Sequence, residues 1–318
     1  MIKEGLLSLS RSSLAETLVK ETPLRAMSRR FVPGETLDAL LEAARKANEE
    51  GLKVTANYLG EEEHDRASAE AAVETYVGLV DRIQEEGLDA GLSVKPSQLG
   101  ETIGRDFLLE NLTRILHRAG EAEVFVRLDM ESSEHTEATL EAFEELWSRG
   151  HRGVGVVLQA YLRRTEGDIR RMNELGASVR LCKGAYSEPK DIAYQGREKV
   201  KERFRECMKL LLTHGTRPAI ATHDDELIRA TSRFAAHSGT HPESFEFQML
   251  HGVRRDLQRR LVSDGWRIRV YIPFGESWYP YLARRLAERP ANILLLAGSV
   301  IRESPVGFLL PDSNGGER

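Results

Sequence analysis

The chain has 318 residues, of which 41% are hydrophobic and 30% charged, with 45 basic side chains against 50 acidic ones. That is enough apolar material for one sizeable core, and a formal net charge of -5 gives no basic field for nucleic acid. The two cysteines, Cys182 and Cys207, form no CxxC pair and suit a reducing cytoplasm, and no stretch approaches the roughly 20 apolar residues of a membrane-spanning helix.

In chain order, MIKEGLLSLSRSSLAETLVKE lacks the apolar run of a signal peptide. Leu6, Leu7, Leu14 and Leu18 instead suggest short helices over residues 1–35 that pack on the body of the protein. Thr36–Gly51 reads as an amphipathic helix, with Leu37, Leu40, Leu41 and Ala44 on one face and Gly51 placed to end it. From there, short apolar or β-branched runs alternate with helical patterns. The runs are Lys53–Leu59, Leu92–Lys95, Val124–Met130, Gly153–Gln159, Ser178–Lys183, Pro218–His223, Phe245–Leu250 and Ile268–Pro273. Several are apolar almost throughout, as in GVGVVLQ, which suits parallel strands buried on both faces. Glu134–Arg149 and Glu198–His214 are the clearest intervening helices. Eight alternations predict an α/β fold of the (β/α)8 barrel type. A doubly wound sheet would carry a GxGxxG turn after an early strand, and there is none. The expected organisation is a helical segment over 1–35, a catalytic barrel over 36–305 and a disordered tail over 306–318.

Barrel enzymes place their chemistry at the C-terminal ends of the strands. Here those ends are polar: Lys95 on the second, Asp129 on the third, Gln159 on the fourth, and Arg180, Lys183 and Tyr186 on and after the fifth. Thr222 and His223 follow on the sixth, Glu246 and Gln248 on the seventh and Tyr271 on the eighth. Each alone suits a structural hydrogen-bonding group. Together they are harder to explain by packing, because burying charge costs several kcal/mol unless it is paired. Beyond the eighth strand, SWYPYLARRLAERP reads as a helix from Tyr281, with Tyr281, Arg284, Arg285 and Glu288 on one face. Taken alone it suits a solvated basic helix with Glu288 pairing Arg284. The same two guanidinium groups also suit a carboxylate clamp.

The motifs RLDME, VVLQAYLRRT, RLCKGAY, ATHD, FEFQMLHG and WYPYLARRLAERP, in this order and spacing, closely resemble the proline dehydrogenase family in its monofunctional bacterial form, over about residues 30 to 300. The resemblance implies a distorted barrel with FAD at its mouth and the last helix lying over it. It implies that Arg284 and Arg285 bind the proline carboxylate, supported by Glu288. Lys95 and Asp129 border the substrate, and Tyr271 and Tyr281 line the pocket of its ring. Glu61 acts as a gate that pairs with Arg284. The flavin positions are Met130, Gln159, Arg180, Lys183, Gly184, Ala185, Tyr186, Thr222 and His223. Asp129 and Arg180 are the expected catalytic residues, with Arg180 beside flavin N5 to stabilise negative charge. Cys182 and His251 depart from the family pattern, and Pro96 follows Lys95.

The implied reaction oxidises L-proline to Δ1-pyrroline-5-carboxylate by hydride transfer to flavin N5, as the first step of proline degradation to glutamate. Electrons pass to a quinone, and pyrroline-5-carboxylate dehydrogenase is the implied partner enzyme. Location is cytoplasmic, with membrane contact at most peripheral. Three alternatives remain. A metal-dependent barrel hydrolase would use His223, Asp224, His64 and His251, but no HxH pair marks an early strand. A flavin barrel resembling methylenetetrahydrofolate reductase needs no paired-arginine helix. A non-catalytic scaffold leaves the charged strand ends unexplained.

Overall fold

The computed structural model describes residues 28–60 and 65–282. Helix α1 (Leu37–Glu49) opens at Thr36, whose hydroxyl accepts from the Ala39 amide at 3.4 Å, and buries Leu40, Leu41, Ala44 and Ala47. Gly51, at φ +78°, then reverses the chain into β1 (Lys53–Tyr58). Seven strand–helix units follow. They run α2 (Arg66–Glu85), β2 (Ala90–Val94), α3 (Arg105–Glu121), β3 (Val126–Leu128), α4 (Ser133–Ser148), β4 (Val154–Gln159), α5 (Thr165–Leu175) and β5 (Ser178–Cys182). The order continues through α6 (Arg197–His214), β6 (Ala219–Ala221), α7 (Asp225–Ser238), β7 (Glu246–Leu250), α8 (Arg255–Ser263) and β8 (Ile268–Phe274).

The eight strands are parallel and close into a barrel in sequence order. The longest ladder joins first to last, with six residue pairs from Lys53↔Arg269 to Tyr58↔Phe274. Every predicted strand is present. β2 begins two residues earlier than expected because Ala90 and Gly91 pair with Val54 and Thr55. β3 and β6 shrink to three residues each, losing expected residues at both ends.

The expectation that strands such as GVGVVLQ are buried on both faces holds, since all six residues of β4 are buried. Outward residues pack on the helices: Val154, Val156 and Leu158 join a core with Leu140, Phe143, Ile169 and Met172. The inward positions are largely polar, because alternate residues face the axis. Thr55, Asn57, Ser93, Arg127, Gln159, Arg180 and Gln248 are all buried.

The lower part of the barrel interior is held by charge. Arg127 crosses from β3 to donate to Ser178 O at 2.7 Å and to the Ser178 hydroxyl at 3.1 Å. Gly155 makes this possible, since a Cβ there would meet the Arg127 Nη1 at 2.6 Å. Opposite, Arg269 pairs with Glu246 at 2.8 Å and donates to Val54 O at 2.7 Å. The Gln248 amide adds a 2.6 Å bond to Glu246. Burial works against the Glu246 charge, but Arg269 more than offsets it and holds the carboxyl below its usual range.

Residues 28–35 tie the two ends of the described barrel together. Arg30 Nε donates to Gly252 O at 3.1 Å, the Gly275 amide to Gly34 O at 3.3 Å, and Trp278 Nε1 to Glu35 Oε1 at 3.0 Å. Around these bonds Phe31, Val32, Leu59, Trp278, Tyr281 and Leu282 form a second apolar cluster. No helix among the described residues is long and apolar enough to cross a membrane. The expected helices over 1–27 and the tail over 306–318 lie outside the described residues.

Candidate active site

Four strands contribute to one junction at the mouth. Asp129, just after β3, accepts from the Ser93 hydroxyl at 2.7 Å and from Arg180 Nη1 at 2.8 Å, both through Oδ1. Its Oδ2 accepts from the Tyr271 hydroxyl at 2.9 Å. Ser93 is on β2, Arg180 on β5 and Tyr271 on β8, so the carboxylate is held from three directions. Ser93 Oγ also lies 3.3 Å from both Arg180 Nη atoms, and the guanidinium carbon sits 5.5 Å from the Tyr271 ring centre. Burial first, and then the Asp129 charge, push the Tyr271 hydroxyl well above its ordinary range. The phenol therefore keeps its proton and donates.

Lys95 follows β2 and is buried. Pro96, with helical φ and ψ, turns the chain after it into a short 3-10 turn, Ser97–Leu99. That turn delivers Ser97, whose amide and hydroxyl donate to Glu131 at 3.1 and 2.6 Å. Burial raises the Glu131 carboxyl while Ser97 and Lys95 oppose it. The Gln159 side-chain amide donates to Glu131 O at 2.8 Å, and Met130 is buried beside it in sequence. Glu131 was not singled out in the sequence. Nor was Ser93, although it shares the strand face of Lys95 at a spacing of two.

The fifth and sixth strand ends form a separate polar wall. Lys183 pairs with Asp224 at 2.7 Å, and Lys201 lies 3.7 Å from the same carboxylate. Burial disfavours the Asp224 charge, but these lysines outweigh it and lower the carboxyl overall. Thr222 Oγ1 accepts from the Asp224 amide at 3.1 Å. His223 Nε2 accepts from the Leu250 amide at 2.9 Å, so that nitrogen carries no proton. Next to this wall is a cleft of about 580 Å³ lined by Lys183, Arg197, Lys201, Arg229 and Arg254 and by the carboxylates of Asp224, Asp225 and Glu226.

Gly184 has φ +114°, and a Cβ there would lie 2.2 Å from the Tyr161 ring. Its need for glycine thus arises from Tyr161 as well as from its backbone angle. Ala185 and Tyr186 follow it in an exposed loop. Cys182 ends β5, and burial pushes its thiol up to about 12, which keeps it neutral. Tyr281 is buried in a helical turn that begins at Trp278, three residues earlier than the sequence suggested. Glu61, Arg284, Arg285 and Glu288 lie outside the described residues, as does His64. Among the described residues no three His, Cys, Asp or Glu side chains converge as metal ligands.

The proline dehydrogenase family model matches residues 40–294. The chain belongs to the proline dehydrogenase family. Proline dehydrogenase 2 of Bacillus subtilis is 36% identical over 291 residues, spanning 92% of this chain and 96% of that one. Proline dehydrogenase of Deinococcus radiodurans is 33% identical over 306 residues, spanning 95% of this chain and 98% of that one. Among solved structures, proline utilization A of Bdellovibrio bacteriovorus inactivated by N-propargylglycine superimposes with a TM-score of 0.80 at 27% identity. That match covers 94% of this chain but 36% of the other, so the chain spans about a third of that longer protein. As in the wider family match, the similarity runs through all eight strands that build the polar mouth.

Proposed function

We propose that this chain oxidises L-proline to Δ1-pyrroline-5-carboxylate, with FAD held at the barrel mouth and a quinone as the eventual electron acceptor. The observation that carries the reading is the Ser93–Asp129–Arg180–Tyr271 junction, together with one unsatisfied group within it. Arg180 Nε is buried and has no hydrogen-bond partner among the described residues. A buried donor left unpaired is costly, so an acceptor belongs beside it. The electronegative edge of an isoalloxazine ring meets that need. The cleft near Lys183 and His223, where five cationic side chains outnumber three carboxylates, has the chemistry for the cofactor's diphosphate.

Bound there, FAD would supply the two-electron acceptor. Arg180 would hold negative charge next to the ring. Gln159, Met130, Thr222, His223 and the Lys183–Tyr186 loop would form its walls. Asp129 has both oxygens engaged by donors, so its role is to fix Arg180 and Tyr271 in register. Lys95 borders the proline, and Tyr271 and Tyr281 line its ring. Arg284 and Arg285 hold the carboxylate, Glu288 supports them and Glu61 closes over the clamp. A fixed carboxylate sets the position of the ring carbon beside nitrogen, which is the proximity contribution to rate. The reading assigns the catalytic barrel to residues 36–305. It makes the chain an early enzyme of proline breakdown, whose product a pyrroline-5-carboxylate dehydrogenase would consume. Cytoplasmic location with peripheral membrane contact suits the quinone.

The test is direct. Purified protein should be yellow, and anaerobic proline should bleach the flavin band. A colourless protein that takes up no added FAD would overturn the reading.

A further inference from the structure

Barrel cores of this type are ordinarily filled by layers of Val, Ile and Leu. This one instead stacks two charged levels along its axis. The upper level is Asp129 with Arg180. The lower level is Arg127 with the Glu246–Arg269 pair. Arg127 is two residues before Asp129 on β3, and it bonds Ser178, two residues before Arg180 on β5. Two residues along a strand rise about 6–7 Å, so the two levels are adjacent.

Among the described residues the charges of these two levels do not cancel. Three guanidinium groups, on Arg127, Arg180 and Arg269, face two carboxylates, on Asp129 and Glu246. Arg127 makes its hydrogen bonds to carbonyl and hydroxyl oxygens, which satisfy its donors without neutralising its charge. Gly155 vacates the space that its guanidinium fills. Water cannot screen a charge in this position well.

We propose that Arg127 is a positioning residue of the electrostatic kind: its buried, uncompensated charge beneath Arg180 biases the mouth toward a more negative occupant. The inference rests on the flavin reading above. On that reading, Arg127 favours the reduced over the oxidised cofactor without touching it, and Glu246 opposes the bias.

The test is the midpoint potential of the flavin bound to the holoenzyme, measured anaerobically against reference dyes. Arg127→Met should shift the two-electron equilibrium about tenfold toward oxidised flavin, a fall of about 30 mV. Arg127→Lys keeps the charge and should stay near the parent value. Glu246→Gln should move the potential upward. Arg127→Met at the parent potential overturns the inference, as does a fall of equal size in Arg127→Lys. If Arg127→Met does not fold, Glu246→Gln decides: no rise overturns the inference, and a rise supports it. Parent protein that binds no FAD overturns the underlying flavin reading. Parent protein that is reduced by proline, with variants at its potential, overturns this inference alone.

Discussion

Tyr271 and Asp129 meet across the barrel, the phenol from the middle of β8 donating to the carboxylate after β3 at 2.9 Å. The bond joins strands that are distant around the ring of eight. Removing it should therefore loosen Asp129 and, through it, Arg180. A hydrogen bond to a charged group contributes about 1.5–3 kcal/mol. Tyr271→Phe should lower kcat/KM for proline by roughly 10- to 100-fold while FAD content stays at the parent level. Parent-like kinetics would show that the bond does not position the site. Because the Tyr271 proton is held well above its usual range, its loss should also be absent from the alkaline limb of the parent pH profile.

Arg284 and Arg285 carry the proposed clamp. Replacing either by Met removes charge-assisted, often bidentate bonds to a carboxylate. The Michaelis constant for proline should rise by about two orders of magnitude, with flavin absorbance retained. An unchanged constant would reject the clamp.

His251 gives a pH prediction. Burial, with Arg255 nearby, pushes it down from 6.5 to about 4. Its folded pKa lies below the unfolded one, so the unfolded chain takes up the proton first as pH falls. The stability contribution is complete above about 6.5 and is lost as pH falls toward 4, by an amount on the order of 3 kcal/mol at most. Thermal melts between pH 7.5 and 5 should fall less steeply for His251→Phe than for the parent. Parallel curves would remove His251 from the account.

Gly184→Ala should be severely destabilising. The new Cβ would lie 2.2 Å from the Tyr161 ring, on backbone with φ +114°. Pairing it with Tyr161→Leu should recover part of the lost thermal stability by relieving the clash, while the backbone strain remains. No recovery in the double variant would place the whole cost on the backbone.

The eight strands were legible because the helices between them carry apolar faces at helical spacing, and Gly51 or Gly150 marks where helices end. What the strands do inside the barrel was less legible. In GVGVVLQ the inward set is Gly155, Val157 and Gln159, and nothing in the local pattern says that Gly155 exists to admit Arg127. That contact joins residues 28 positions apart and requires the closed barrel. Asp129, Arg180 and Tyr271 were identifiable by type and strand position, and the structure brings them together. Ser93 and Glu131 were missed because a serine or a glutamate at a loop edge is ordinary until its partner is known. The bond from the Gln159 amide to Glu131 O was not legible either, because a backbone group carries no sequence signal.

The ladder between β1 and β8 governs how such a chain comes into being. On a ribosome β1 is made early, but its six-residue partner is made more than 200 residues later. Until then Lys53–Tyr58 has one open edge, and open edges recruit other strands. Closure by Ile268–Phe274 is a contact of very high sequence separation, and such contacts form slowly. The step that completes the barrel also completes the Ser93–Asp129–Arg180–Tyr271 junction, since Tyr271 arrives with β8. A nascent chain short of that strand exposes both a sticky edge and an unfinished site, which makes late synthesis the interval in which protection by chaperones matters most.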